Sequence, residues 1–152
     1  MRMPSKQLLI PGLGYLGVIP FAACAFLVLR DSSELVTDPA FLFVGYSVVI
    51  LAFLGGTLWG SSRALEDSSR TSGLLLASNI IALLGWGSLI AFQSWFTAAL
   101  IVLILGYASV LVIERRNALT LGIDTGDRYL VLRSSLTALV ILLHILVLLA
   151  ER

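Results

Sequence analysis

Five long stretches of the chain carry almost no charge, and this pattern constrains the fold more than any other feature of the sequence. Each stretch is close to the ~20 residues that an α-helix, rising 1.5 Å per residue, needs to cross ~30 Å of hydrocarbon. Apart from Arg133 near the start of the last one, none contains Asp, Glu, Lys or Arg. The sequence therefore predicts an all-α integral membrane bundle, a single transmembrane domain over residues 1–152, with five helices at about 8–29, 40–61, 73–92, 95–113 and 132–150.

The composition excludes several classes of protein. Charged residues make up 12% of the chain and apolar residues 59%, whereas a soluble domain carries about 25% charged residues. This excludes a soluble enzyme, and the net charge of +1 lacks the basic excess that a nucleic-acid binder needs. Cys24 is the only cysteine, so no internal disulfide and no cysteine metal cluster can form. We expect no metal and no cofactor.

Two details refine the helices. Residues 73–113 are uninterrupted by charge, and as one helix they would span ~60 Å, twice the bilayer core. The polar pair Gln93 and Ser94, followed by Trp95, predicts a tight turn at the membrane boundary. The first stretch is too long for a typical signal-peptide core, so we expect a retained helix, bent at Pro20.

The distribution of Lys and Arg predicts the orientation. Seven of the ten lie in the N-terminal segment and in the second and fourth connections, and Arg133 at the start of the last stretch makes eight on one side of the membrane. The positive-inside rule then places the N-terminus in the cytoplasm and the C-terminus outside.

Three short motifs resemble enzyme sites, but their contexts argue against catalysis. Gly12–Gly17 spells GxGxxG, yet it precedes a membrane helix and lies in no strand–helix–strand unit. Asp124-Thr-Gly126 resembles the aspartic protease triplet, but it occurs once, in a short connection. Ser61 lies near the helix end, whereas His144 is eleven residues beyond Arg133, hence ~16 Å deeper in the membrane. We therefore expect no catalytic residues.

His144 and Asn79 are the candidate ligand-binding residues within the apolar stretches. An ionisable residue inside a membrane suggests a functional role, here contact with a ligand or quinone. The alternative is structural, in which each side chain hydrogen-bonds a neighbouring helix.

Arginines and small residues mark two further candidate surfaces. The four arginines around the last connection could hold a lipid headgroup or another anion, or they could reflect the positive-inside rule alone: Arg115, Arg116, Arg128 and Arg133. The second helix carries a small-residue face suited to close helix packing, within this chain (the favoured alternative) or against another subunit: Ala52, Gly55, Gly56, Gly60 and Ala64.

Three segments resemble one family over almost the whole chain, in the same order. They are Leu13–Phe21, Tyr46–Gly60 with its Phe-Leu-Gly-Gly-Thr-Leu-Trp-Gly ending, and Arg128–Thr137. Together they resemble the small multi-helix membrane proteins that include transmembrane protein 69, a domain of unknown function (3429). The resemblance implies a five-helix protein of an inner membrane, and it brings no established activity. For this chain we expect the bacterial inner membrane rather than the mitochondrial one.

The leading functional hypothesis is an accessory or assembly subunit that packs, in the lipid bilayer, against a larger membrane complex, respiratory or photosynthetic, or against itself. One alternative is a small transporter or channel, which would need a polar path joining His144 and Asn79 with Thr57 and Ser109. Others are a lipid- or quinone-binding protein and a membrane enzyme acting on headgroups at residues 114–133.

Overall fold

Six helices build the described part of the chain. The computed structural model describes residues 6–30, 38–66, 68–121, 123 and 128–151. The helices are α1 Lys6–Leu16, α2 Ile19–Leu29, α3 Pro39–Arg63, α4 Ser69–Ala91, α5 Phe96–Arg116 and α6 Arg128–Ala150. Because α1 and α2 follow one another in a single apolar span, five spans are long and apolar enough to cross a membrane, as the sequence predicts. The motif Asp124–Gly126 lies outside the described residues.

The first span is interrupted where the sequence predicts a bend. Pro20 has no N–H to donate to the carbonyl of Leu16, so one bond of the helical ladder is missing there, and residues 17 and 18 form a turn between α1 and α2. The Tyr46 hydroxyl of α3 donates to the Gly17 carbonyl at 2.9 Å. This bond satisfies a backbone acceptor at the break and joins the first span to α3.

Local sequence signals fix the other helix ends. Pro39 opens α3, and the Asp38 carboxylate accepts from the Ala40 N–H at 2.9 Å. Ser68 caps α4 by accepting from the Thr71 N–H. The predicted turn between α4 and α5 is confirmed, with residues 92–94 forming it and Trp95 exposed at the start of α5.

α3 lies at the centre of the bundle and packs against α2, α4 and α5, while α6 packs against α5 and α2. Glycines permit the closest approaches. A Cβ atom added at Gly55 would lie 3.1 Å from the Ser78 carbonyl oxygen of α4, and one added at Gly106 of α5 would lie 2.7 Å from Leu51 Cδ2. From Val44 onward the buried face of α3 recurs every three or four residues: Val44, Ser47, Leu51, Gly55, Leu58 and Ser62.

The small-residue face of α3 corrects the sequence analysis. Gly55 makes the expected internal contact, but a Cβ atom at Gly56 or Gly60 would meet nothing within 4 Å. Ala52 and Ala64 are exposed as well. At 3.6 residues per turn, Gly56 points well away from the side on which Gly55 meets α4. The internal contact favoured from the sequence is therefore wrong for these residues. Ala52, Gly56 and Gly60 lie on the outer surface of α3, and Ala64 is exposed just after its end.

One end of the bundle collects the arginines and is called here the Arg133 end. It is the end where α1 begins, α3 and α5 finish, and α4 and α6 start. Arg63, Arg70, Arg115 and Arg116 are exposed there, whereas most of the Arg133 side chain is buried. The opposite end carries the turn between α4 and α5 and the end of α6.

Candidate ligand-binding cleft

A cleft of about 430 Å³ runs between the first span and helices α3, α5 and α6. Its volume lies in the range typical of small-molecule sites, ~300–1,000 Å³. Most of the wall is apolar. Gly14 of α1 lines it, as do Gly17 and Val18 at the interruption of the first span. The remaining apolar lining is Ile10, Leu13, Phe21, Ile50, Phe53, Leu54, Leu132, Leu136 and Val140.

The polar part of the cleft lies at the Arg133 end. Glu114 of α5 and Arg133 of α6 form an ion pair, with Nε donating to Oε2 at 2.7 Å and Nη2 donating to Oε1 at 3.3 Å. Their side chains are only 12% (Arg133) and 4% (Glu114) exposed. Tyr129 and Thr137 line the same part of the cleft. The polar part of the cleft thus holds one positive and one negative side chain, joined by two hydrogen bonds and with no net charge, in a largely apolar wall.

The inner part of the cleft reaches the middle of the bundle. Tyr107 lies seven residues before Glu114 on α5, and Val140 lies seven residues after Arg133 on α6. At 1.5 Å per residue, both are ~10 Å deeper than the ion pair. The cleft therefore has the form of a long apolar slot with polar groups at one end.

His144 lies one layer of side chains behind this inner part. Its ring is fully buried, and its centroid is 5.8, 4.8 and 5.5 Å from those of Phe21, Phe43 and Tyr107. Phe21 and Tyr107 also line the cleft, so they separate the imidazole from it. The residue that the sequence singled out as a candidate ligand contact thus packs among aromatic rings.

A buried network satisfies the imidazole. The Nδ1 atom lies 2.8 Å from the Val140 carbonyl, which can only accept, so Nδ1 carries the proton. Nε2 of the neutral ring then accepts from the Ser47 hydroxyl at 2.7 Å. The Tyr107 hydroxyl donates to the Ser47 carbonyl at 2.8 Å. The network joins α3, α5 and α6 in the core, as expected for a structural histidine.

The Ser47 hydroxyl and the His144 imidazole are as close as a catalytic nucleophile and its base, 2.7 Å apart, but no substrate can reach them. Both side chains have no exposed surface, and Phe21 and Tyr107 lie between the pair and the cleft. The third group that orients the imidazole is a carbonyl of its own helix, one turn earlier. A substrate would have to displace packed core side chains to reach Ser47, so this hydrogen bond is part of the packed core.

The structure does not bring the predicted polar path together. The Asn79 amide is exposed and donates to the Leu75 carbonyl of its own helix at 2.9 Å. The Thr57 hydroxyl donates to the Leu54 carbonyl at 2.7 Å, and Ser109 is exposed. These side chains do not join His144 within the described part of the chain. The prediction of a polar path, on which the channel hypothesis depends, is therefore wrong. The Asn79 amide and the Thr57 hydroxyl hydrogen-bond within their own helices instead.

The four predicted anion-binding arginines do not form one site among the described residues. Arg133 is paired with Glu114 in the cleft, whereas Arg115 is exposed and donates to the Ser134 hydroxyl at 2.7 Å. Arg116 is exposed. The side chain of Arg128 lies outside the described residues. The described arginines are thus divided between the cleft and the surface.

Comparisons with known proteins agree with this architecture. A family model for proteins of unknown function, DUF3429, matches residues 7–149. Transmembrane protein 69 of Xenopus tropicalis is 33% identical over 95 residues, which cover 62% of this chain and 37% of that protein. The match thus spans little more than a third of that relative's length. No solved structure matches the chain.

Proposed function

Since this chain belongs to the DUF3429 family of proteins of unknown function, we propose a function from the geometry of its cleft: non-enzymatic binding of one long-chain amphiphile from the bilayer. The observation that carries the proposal is the apolar slot of about 430 Å³ with an ion pair at one end. An amphiphile has the same arrangement, a chain with a polar head. This makes the lipid- or quinone-binding hypothesis the first candidate.

The position of the polar groups in the bilayer supports this match. In the orientation expected from the Lys and Arg distribution, the Arg133 end faces the cytoplasm, and the proposed membrane is a bacterial inner membrane. Glu114 and Arg133 then lie near the membrane boundary, where lipid headgroups are, and the apolar slot extends towards the bilayer centre. A bound amphiphile would keep the depth and direction that it has in the bilayer.

Filling the cleft tests the proposal. Leu132→Trp places a larger side chain in the cleft wall. We expect it to lower the fraction of chains that retain a lipid by about tenfold, which corresponds to a loss of about 1.4 kcal/mol of binding free energy. The measurement is native mass spectrometry of the chain released from nanodiscs made with a total bacterial lipid extract.

Leu142→Trp is the matched control, because Leu142 lies on the same helix but is half exposed and outside the cleft. This variant should retain lipid like the wild type. A wild-type chain that retains no added mass, or equal retention by the two variants, would contradict the proposal.

The accessory-subunit role is the second candidate, and the outer face of α3 favours it. Gly56 and Gly60 are exposed, with open space over both, and Ala52 extends the same face. Since lipid gives no hydrophobic drive between helices, association in membranes depends on such small residues. A second membrane subunit or a second copy of the chain could approach α3 closely here.

Co-migration in mild detergent tests this second role. A complex isolated at native expression level should contain a further subunit, and Gly56→Leu should remove it by blocking close approach. Gly73→Leu is the control, because Gly73 is also exposed with open space, but on α4. Recovery of the wild-type chain as a lone monomer would count against the accessory role.

A further inference from the structure

We infer that the cleft selects an amphiphile whose head is uncharged and carries a hydroxyl or carbonyl oxygen. This inference rests on the proposed function and specifies its ligand. It follows from the charges in the cleft wall, from what surrounds them, and from the hydrogen-bonding groups beside them.

The charges of the described cleft wall cancel. Glu114 and Arg133 are the charged side chains that line it, and they bond each other at 2.7 and 3.3 Å. No countercharge in that wall is left for a headgroup. A phosphate would meet the Glu114 carboxylate as well as the guanidinium, and an ammonium would meet Arg133, so each charged head would add an uncompensated charge.

The surroundings make an uncompensated charge costly. The side chains of Glu114 and Arg133 are almost completely buried, and most of the wall beyond them is aliphatic or aromatic. Charges inside a membrane protein are expensive unless they are paired or reach water. A phosphate head would therefore favour the exposed Arg115 and Arg116 outside the cleft, and an ammonium head would favour the wet bilayer surface, over a place beside the pair.

An uncharged oxygen can hydrogen-bond without breaking the pair. A guanidinium has five N–H donors, and the two bonds to Glu114 leave others for a further acceptor. The Tyr129 and Thr137 hydroxyls line the same part of the cleft and can donate or accept. The geometry thus fits the oxygen of a long-chain alcohol, ester or quinone.

Three probes with the same chain and different heads test the inference: oleyl alcohol, oleyl phosphate and oleylamine. Each is added at equal concentration to the chain in nanodiscs, and the retained fraction is measured by native mass spectrometry. We expect the wild type to retain oleyl alcohol at least about tenfold better than either charged probe. Equal or better retention of a charged probe overturns the inference and leaves the proposed function intact, whereas retention of none contradicts the proposed function as well.

Glu114→Gln tests the cause of the selectivity. Without the carboxylate, Arg133 can pair with an anionic head, so the retained fraction of oleyl phosphate should rise about tenfold relative to that of oleyl alcohol. The charge-reversed double variant, Glu114→Arg with Arg133→Glu, keeps a neutral pair and should keep the preference for the alcohol. If Glu114→Gln folds and its preference is unchanged, the ion pair does not set the selectivity. The wild-type series tests the inference even if the variants do not fold.

Discussion

Replacing Arg133 by leucine should lower the free energy of unfolding by about 3–5 kcal/mol, the cost of removing one partner from a buried ion pair. The substitution leaves the Glu114 carboxylate, 4% exposed, without its partner in an apolar wall. The measurement is reversible unfolding by SDS titration in mixed micelles, followed by circular dichroism. We expect this to be one of the two largest single-residue effects on stability considered for this chain.

The companion variants separate charge from packing. Glu114→Leu should cost less than Arg133→Leu, because the long arginine side chain can extend towards the boundary and keep its charge in water. The double variant with leucine at both positions should be much closer to the wild type than Arg133→Leu, since it removes both charges and keeps apolar bulk. If the double variant is as unstable as Arg133→Leu, the loss comes from packing around the guanidinium.

The sequence predicts the helices well, because the bilayer imposes a strong condition on them. A spanning segment needs about 20 apolar residues, and five such segments are present. The break near Pro20 and the turn at Gln93 and Ser94 also follow from local chemistry, a missing N–H in the first case and polar groups in the second. Each of these features is determined by the residues of a single stretch of sequence, without reference to any other stretch.

The cleft and the core network depend on pairs of segments, and the sequence could not identify them. Glu114 is adjacent to Arg115 and Arg116, so the sequence alone assigns it to a charged connection. In the structure it is buried against Arg133. In the sequence, Ser47 cannot be distinguished from Ser78 or Ser88, whose hydroxyls donate to carbonyls of their own helix. Because lipid-facing and core-facing side chains are both apolar, hydropathy does not tell which face of a helix is inside.

A depth comparison could have suggested the partner of His144. Ser47 is eight residues from the start of α3, and His144 is six residues from the end of α6. At 1.5 Å per residue, they lie ~12 and ~9 Å from the same end of the bundle. The same argument that separates Ser61 from His144 thus places Ser47 near it, provided that the ends of both helices are known.

Replacing His144 by alanine should lower the free energy of unfolding by about 3 kcal/mol, comparable to the loss of a buried aromatic ring. The imidazole is fully buried among Phe21, Phe43 and Tyr107, and its removal leaves a cavity that packed rings cannot close. The same SDS titration measures the effect.

His144→Leu distinguishes the cavity from the hydrogen bond. Leucine fills most of the volume, and the remaining cost should be about 1 kcal/mol, because the Ser47 hydroxyl loses its bond to Nε2 but can turn to a carbonyl of its own helix. Adding Ser47→Ala removes that hydroxyl, so the double variant should be no less stable than His144→Leu. Lipid retention should stay unchanged in His144→Leu, since Phe21 and Tyr107 still separate position 144 from the cleft. A folded His144→Leu variant that no longer retains lipid would instead assign the imidazole to ligand binding and contradict its role as a packed core residue.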